Sequence, residues 1–269
     1  LKIEAKTTSV LERIVEARRA VVARRKQAFP EAILRYNAKH APPARDFAAA
    51  LERDGLNIIA ELKKASPSRG VLRRDFQTIS LAAELERAGA AALSVLTEED
   101  FFQGSLMNLA EASKTVSIPV LRKDFIFDAW QVWEARANDA DSFLLIAAIL
   151  GDAELRELIK LGRELDMEPL VEVHSAEELA RALDAGARIL GVNNRDLRTF
   201  DARIETSFEL IARIPDDRIA VSESGLRTHE DLVRLRAAGF DAFLIGEHLM
   251  QAPLPGEALA ALLRPGDPS

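Results

Sequence analysis

An α/β fold of the (β/α)8 barrel class is predicted by three features of this 269-residue chain. From residue 58 onward, eight short apolar runs alternate with helical patterns at steps of roughly 20 to 34 residues, the spacing of repeated βα units. Five of the strings end on charged or amide side chains: Glu61-Leu62-Lys63, Leu121-Arg122-Lys123-Asp124-Phe125, Val171-Glu172-Val173, Val192-Asn193-Asn194-Arg195 and Val221-Ser222-Glu223-Ser224-Gly225. A buried strand has no structural need of such an ending, and burying an unpaired charge is costly. The pattern describes a site assembled from many strand ends, where this barrel carries its chemistry. The third feature is a weak repeat. Ala88-Gly89-Ala90, Ala185-Gly186-Ala187 and Ala238-Gly239-Phe240 each close a helix before an even-numbered strand, with Gly suited to the left-handed cap. At the fourth such place stands Asn138-Asp139-Ala140, and Asn also adopts that conformation. Doubly wound sheets usually stop at five or six strands, so eight favours closure.

Taken in order, residues 1–57 read as an N-terminal helical extension. Ser9-Val10-Leu11-Glu12 has the form of a capping box. Leu11, Ile14, Val15, Val21 and Val22 then make an apolar stripe that faces the body. Phe29-Pro30 ends that helix, Pro42-Pro43 marks a loop, and Asp46 caps a further short helix. Arg18-Arg19 and Arg24-Arg25-Lys26 read as a solvated helix face. The barrel starts at about residue 58, with strands expected at 58–63, 92–97, 119–123, 143–147, 169–173, 189–193, 219–222 and 242–246. Their continuous Ile/Val/Leu character fits parallel strands covered on both faces. Helices are expected between them, as at 80–88, 152–165, 176–183 and 228–237. Residues 1–269 are read as a single (β/α)8 TIM barrel domain, the extension included.

Composition narrows the function. With no Cys, the chain has no disulfide, thiolate metal site or cysteine nucleophile. The longest apolar run, residues 143–150, is too short to span a bilayer. A net charge of −7 with mixed signs argues against nucleic acid. The first thirty residues lack an apolar signal core. A soluble, cytoplasmic enzyme is the expectation, with no membrane partner.

Strand alternation puts Glu61 and Lys63 on one face, pointing to the axis if Ile59 fills the barrel. They form either part of the chemistry or a mutual ion pair. Lys123 ends the third strand two positions after Leu121, and Glu172 follows Leu170 by two. Lysines and carboxylates confined together shift one another's pKa values, the equipment for general acid–base work on a carbon skeleton. Ser224-Gly225 after strand seven and Gly246, which ends strand eight ahead of a short helical stretch, read as a phosphate cradle, completed by Ser66 and Arg195, or as plain turn residues. Glu247 beside that cradle has to turn its carboxylate away. Phe102, Phe125, Leu144 and Leu197 stand where they line an apolar wall or simply fill the core. The loop Lys64 to Gly70 reads as a lid or an ordinary loop, and Glu98-Glu99-Asp100 as solvated. The four histidines show no ligand spacing, so no metal is expected; His174 alone lies near the mouth.

Several of these strings in order, among them Ile59-Ala60-Glu61-Leu62-Lys63-Lys64-Ala65-Ser66-Pro67-Ser68, Leu121-Arg122-Lys123-Asp124-Phe125, Pro169-Leu170-Val171-Glu172-Val173 and Gly191-Val192-Asn193-Asn194-Arg195-Asp196-Leu197, strongly resemble the indole-3-glycerol phosphate synthase family of tryptophan biosynthesis. The resemblance runs from about residue 9 to 263. It implies ring closure of 1-(2-carboxyphenylamino)-1-deoxyribulose 5-phosphate with loss of CO2 and water, without metal or organic cofactor. By this resemblance Lys123 is the general acid, and Lys63 pairs with the anthranilate carboxylate. Glu172 assists loss of the hydroxyl, Glu61 is the base restoring aromaticity, and Asn193 and Glu223 position. Ser66, Arg195, Ser224, Gly225 and Gly246 match the phosphate contacts; Phe102, Phe125, Leu144, Leu170 and Leu197 match the aromatic pocket. The implied partner is a phosphorylated small molecule, with other tryptophan-pathway enzymes as candidate protein partners. A closed barrel exposes no strand edge, so a monomer is expected.

The alternatives are another phosphate-binding barrel enzyme or a barrel that binds phosphates without turnover. Among the former, phosphoribosylanthranilate isomerase relies on a Cys that this chain lacks. An aldolase would form a Schiff base at Lys63 or Lys123.

Overall fold

The computed structural model describes residues 9–196 and 201–264. Eight parallel strands form the barrel: β1 (Asn57–Leu62), β2 (Ala92–Leu96), β3 (Val120–Lys123), β4 (Ser142–Ile146), β5 (Leu170–Val173), β6 (Ile189–Asn193), β7 (Ile219–Glu223) and β8 (Ala242–Ile245). Each pairs with the next, and β8 returns to β1 with Ala242 opposite Asn57 and Ile245 opposite Ala60. The sheet is closed. Every strand boundary lies within one residue of its expected position. A small hairpin in the loop after β1, Ala65–Ser66 against Gly70–Val71, was not anticipated.

Helices α1 (Val10–Ala28), α2 (Glu31–His40) and α3 (Phe47–Leu51) precede the barrel. Around it follow α4 (Thr78–Arg87), α5 (Leu106–Thr115), α6 (Ala129–Ala137), α7 (Asp152–Glu164), α8 (Ala176–Asp184), α9 (Glu205–Ile211), α10 (His229–Ala238), α11 (Glu247–Gln251) and α12 (Pro255–Leu263). The cap of α1 forms as expected: Ser9 Oγ accepts from the Glu12 N–H, and the Ser9 N–H donates to the Glu12 carboxylate. Asp46 caps α3 by accepting from the Ala49 N–H.

Two apolar layers result from strand alternation. Ile58, Leu62, Leu93, Val95 and Val171 face outward against the helices. Ile59, Leu121, Leu144, Leu170, Ile189, Val221 and Leu244 fill the interior, where α3 adds Phe47, Ala48 and Leu51. Phe47 and Leu51 pack beneath Ile59, Ala92 and Ile219, so α3 closes the floor of the barrel. Burying a Leu or Phe contributes roughly 1.5–3 kcal/mol each, which makes the plug a stabilising element.

The repeated helix caps are left-handed at Gly89 (φ 104°), Gly186 (φ 87°) and Gly239 (φ 115°). In the fourth unit it is Asp139 (φ 62°) that takes the conformation, not Asn138. Asp139 occupies the repeat's glycine position, and its short polar side chain tolerates that region as Asn does.

The basic runs of α1 are a solvated face only in part: Arg19, Arg24 and Lys26 are exposed, whereas Arg18 and Arg25 turn to the barrel. Arg18 is 1% exposed and its Nη2 lies 2.5 Å from Asp124, just after β3. Arg25 pairs with Glu99 and Glu134, and Lys26 with Asp128. These charges fasten the extension to the barrel.

Candidate active site

The last inward-facing positions of β1, β3, β5, β6 and β7 carry Glu61, Lys123, Glu172, Asn193 and Glu223, which all open on one cleft. Lys123 is at its centre. Its Nζ donates to Glu223 Oε2 at 2.7 Å and to Glu172 Oε2 at 3.0 Å. Burial disfavours the ammonium, but Glu172, Glu223 and Glu61 outweigh it and drive its pKa upward.

The two carboxylates on that lysine are not equivalent. Burial would raise the pKa of Glu172, yet Lys123 and His174 hold it well below the usual range. Burial wins at Glu223: reinforced by the charges of Glu172 and Glu61 against the pull of Lys123, its pKa is pushed up to about 7. One carboxylate is locked in its ionised form; the other can take up a proton near neutrality. His174 stands 3.3 Å from Glu172 Oε1 and 3.2 Å from Glu178 Oε2. Burial opposes its charge, but those two carboxylates push its pKa up to about 10.

Lys63 and Glu61 form an ion pair at 2.7 Å, and both line the cleft with Lys123. Room for these carboxylates depends on two glycines. A Cβ on Gly246 would overlap Glu61 Oε1, and one on Gly191 would overlap Glu223 Oε1. Any side chain at either position would displace the acid beside it.

The cleft as a whole has a volume of about 140 Å³, and its apolar walls are Phe102, Phe125, Leu144, Leu96 and, from α1, Leu11 and Ile14. The rings of Phe102 and Phe125 are tilted with centroids 6.1 Å apart. A cavity of roughly that size holds one six-membered ring. Leu170 does not join this wall; it is fully buried in the barrel interior. Leu197 lies outside the described residues. Glu98 is not solvated. Its buried carboxylate accepts from the N–H groups of Asp100, Phe101 and Phe102, and so sets the loop that presents Phe102.

A second cavity of about 730 Å³ adjoins the first and is lined by Arg69, Arg195, Ser224, Gly225, Gly246 and Glu247, among others. Ser224 has φ 68°, a left-handed backbone rare for serine, and Asn194 Nδ2 donates to its carbonyl at 3.1 Å. Non-glycine strain of this kind is held where surrounding structure demands it. Ser66 faces the first cavity with its buried Oγ free of a hydrogen bond within the described residues. Glu247 turns toward the arginines: Oε2 lies 3.1 Å from Arg195 Nη2 and Oε1 lies 3.4 Å from Arg69 Nε.

Asp124 and Arg18 escaped the sequence reading. Asp124 lines the cleft and gathers Arg18, Arg122 and Thr97, at 2.5, 2.9 and 2.5 Å. Asp124 was visible beside Lys123 in the strand-end string, but its helix partner lies 106 residues away. Among the described residues, no group of three His, Asp or Glu side chains is placed to hold a metal ion, and no helix is long and apolar enough to cross a membrane.

Residues 11–262 match the family model described as indole-3-glycerol phosphate synthase. Curated proteins of that name are similar along nearly the whole chain. The one from Albidiferax ferrireducens is 47% identical over 95% of this chain and 98% of its own length. That from Chloroherpeton thalassium is 49% identical over 93% and 96%. Among solved structures, KGPDC from Streptococcus mutans shares the fold at a TM-score of 0.61 and 14% identity, covering 77% of this chain and 95% of that one. A mandelate oxidase does so at 0.60 and 17%, covering 87% and 82%.

Proposed function

The chain belongs to the indole-3-glycerol phosphate synthase family, and from that premise we propose how its cleft performs the ring closure. The enzyme is a carboxy-lyase of tryptophan biosynthesis. It takes 1-(2-carboxyphenylamino)-1-deoxyribulose 5-phosphate to indole-3-glycerol phosphate, CO2 and water. In this reading the aromatic ring enters the apolar chamber between Phe102 and Phe125, and the phosphate reaches Arg195, Ser224, Gly225, Gly246 and Ser66. The ketone between them then meets Lys123.

An ammonium held by two carboxylates is a reluctant acid while they keep it. The substrate's carbonyl oxygen replaces one such contact. As the carboxyl-bearing ring carbon attacks, negative charge grows on that oxygen and the Lys123 proton moves to it. Lys63 holds the departing carboxylate until CO2 leaves and its electron pair restores the ring's double bond. Glu172 assists loss of the hydroxyl as water. Glu61 takes the proton from the carbon that must become aromatic, and Asn193 and Glu223 position. The same pairing disfavours the Schiff-base alternative, because a charged amine has no lone pair for attack.

The observation that carries the reading is Lys123 shared between Glu172 and Glu223 in a cleft large enough for one ring and walled on one side by Phe102 and Phe125. The test is indole fluorescence on addition of the carboxyphenylamino-deoxyribulose phosphate, with Lys123→Ala alongside. Turnover by the intact enzyme and a loss of about a thousandfold in kcat for the variant are expected. Near-normal turnover by the variant, or a borohydride-trapped adduct on the lysine, overturns the assignment.

A further inference from the structure

The phosphate cavity contains an anion of the chain's own. Glu247 reaches in from the first position of α11 and divides its two oxygens between Arg195, from the loop after β6, and Arg69, from the loop after β1. Its side chain is 16% exposed and that of Arg195 23%, so their pair is only partly screened by water. Among the described lining residues, Lys63, Arg69, Arg195 and Arg227 face Glu61, Asp201 and Glu247. With Glu247 in place the cavity is close to electrically balanced; without its charge the cavity is clearly basic.

We propose that Glu247 acts as a built-in competitor for the substrate's phosphate, occupying Arg195 and Arg69 in the free enzyme and yielding them when a phosphate dianion arrives. The inference rests on the phosphate reading given above and adds an affinity-setting residue to it. A carboxylate and a phosphate present the same kind of oxygen acceptor to a guanidinium, but the dianion offers more charge and a third oxygen. The exchange therefore lowers affinity for every anion, and only one with charge to spare still binds well. It also explains the orientation of Glu247. A carboxylate that merely tolerated a neighbouring phosphate would point to solvent, whereas this one bridges two guanidinium groups. Between substrates the same bridge ties the β1 loop to the start of α11 across the cavity, which keeps Arg69 at the rim.

The test is calorimetric titration of inorganic phosphate into the wild-type enzyme, Glu247→Gln and Glu247→Ala at one ionic strength. Both variants are expected to bind phosphate about fivefold to tenfold more tightly, the worth of one partly exposed ion pair removed from competition. The KM for the phosphorylated substrate should fall in parallel. Acetate, as a singly charged probe, should gain no more than phosphate from the substitution. If both variants bind phosphate no better than wild type, Glu247 serves to hold the arginines for the ligand and the inference is overturned. If the wild type binds no phosphate, the cavity is not a phosphate subsite, and the inference falls with that part of the reading. Because binding is measured without turnover, neither result is confused with failure of the ring-closure assignment.

Discussion

Glu223 shows how much a single burial decides. It touches the same lysine as Glu172, yet its pKa is pushed up to about 7 while that of Glu172 is depressed. The folded chain thus holds a proton on Glu223 that the unfolded chain releases above its ordinary 4.5. That contribution to stability is complete below pH 4.5 and is lost as pH rises through about 7. Thermal unfolding at pH 5 and pH 8 should therefore differ less for Glu223→Gln than for the wild type. An unchanged difference would mean that Glu223 titrates in its ordinary range. Much of this residue-level site was legible in sequence, because alternation alone aims Glu61, Lys63, Lys123 and Glu172 at one axis, while Glu223 stood out only as a polar strand ending and by family resemblance. Depth was not. Leu144 and Leu170 are register partners with the same parity, but tilted strands put neighbours at different heights, and only Leu144 reaches the cleft.

At the scale of elements, α1 is the part that sequence patterning undervalued. Its apolar stripe was legible, and Ile14, Val21 and Val22 are buried as expected. Arg19 and Arg24 are exposed as expected, but Arg18 and Arg25 are not, because helical spacing shows which residues share a face and not what charge lies opposite. Arg18 meets Asp124, the residue after Lys123, inside a cluster shared with Arg122. Breaking a buried pair of this kind costs about 3 kcal/mol, since the remaining charge stays desolvated. Denaturant unfolding of Arg18→Met should show that loss. In a double-mutant cycle with Asp124→Asn the two costs should fail to add, as expected for residues in one network. The kcat of Arg18→Met should also drop, because Asp124 anchors the end of the strand that carries Lys123. Full additivity, or unaltered kcat, would make α1 a passive cover.

Over the whole molecule, the closed sheet was the most legible feature: eight runs, three glycine caps and five polar strand endings all describe one repeated unit. The small hairpin after β1 was illegible because two-residue strands leave no periodicity to detect. Chemistry gathers at one end of the barrel, and α3 seals the other with Phe47 and Leu51. That seal makes the site a cul-de-sac. Whatever enters must back out by the same door, so a departing product, still bearing its phosphate, stands in the way of the next arrival. Indole-3-glycerol phosphate should accordingly raise the apparent KM for substrate and leave kcat untouched; a fall in kcat would reveal a second door.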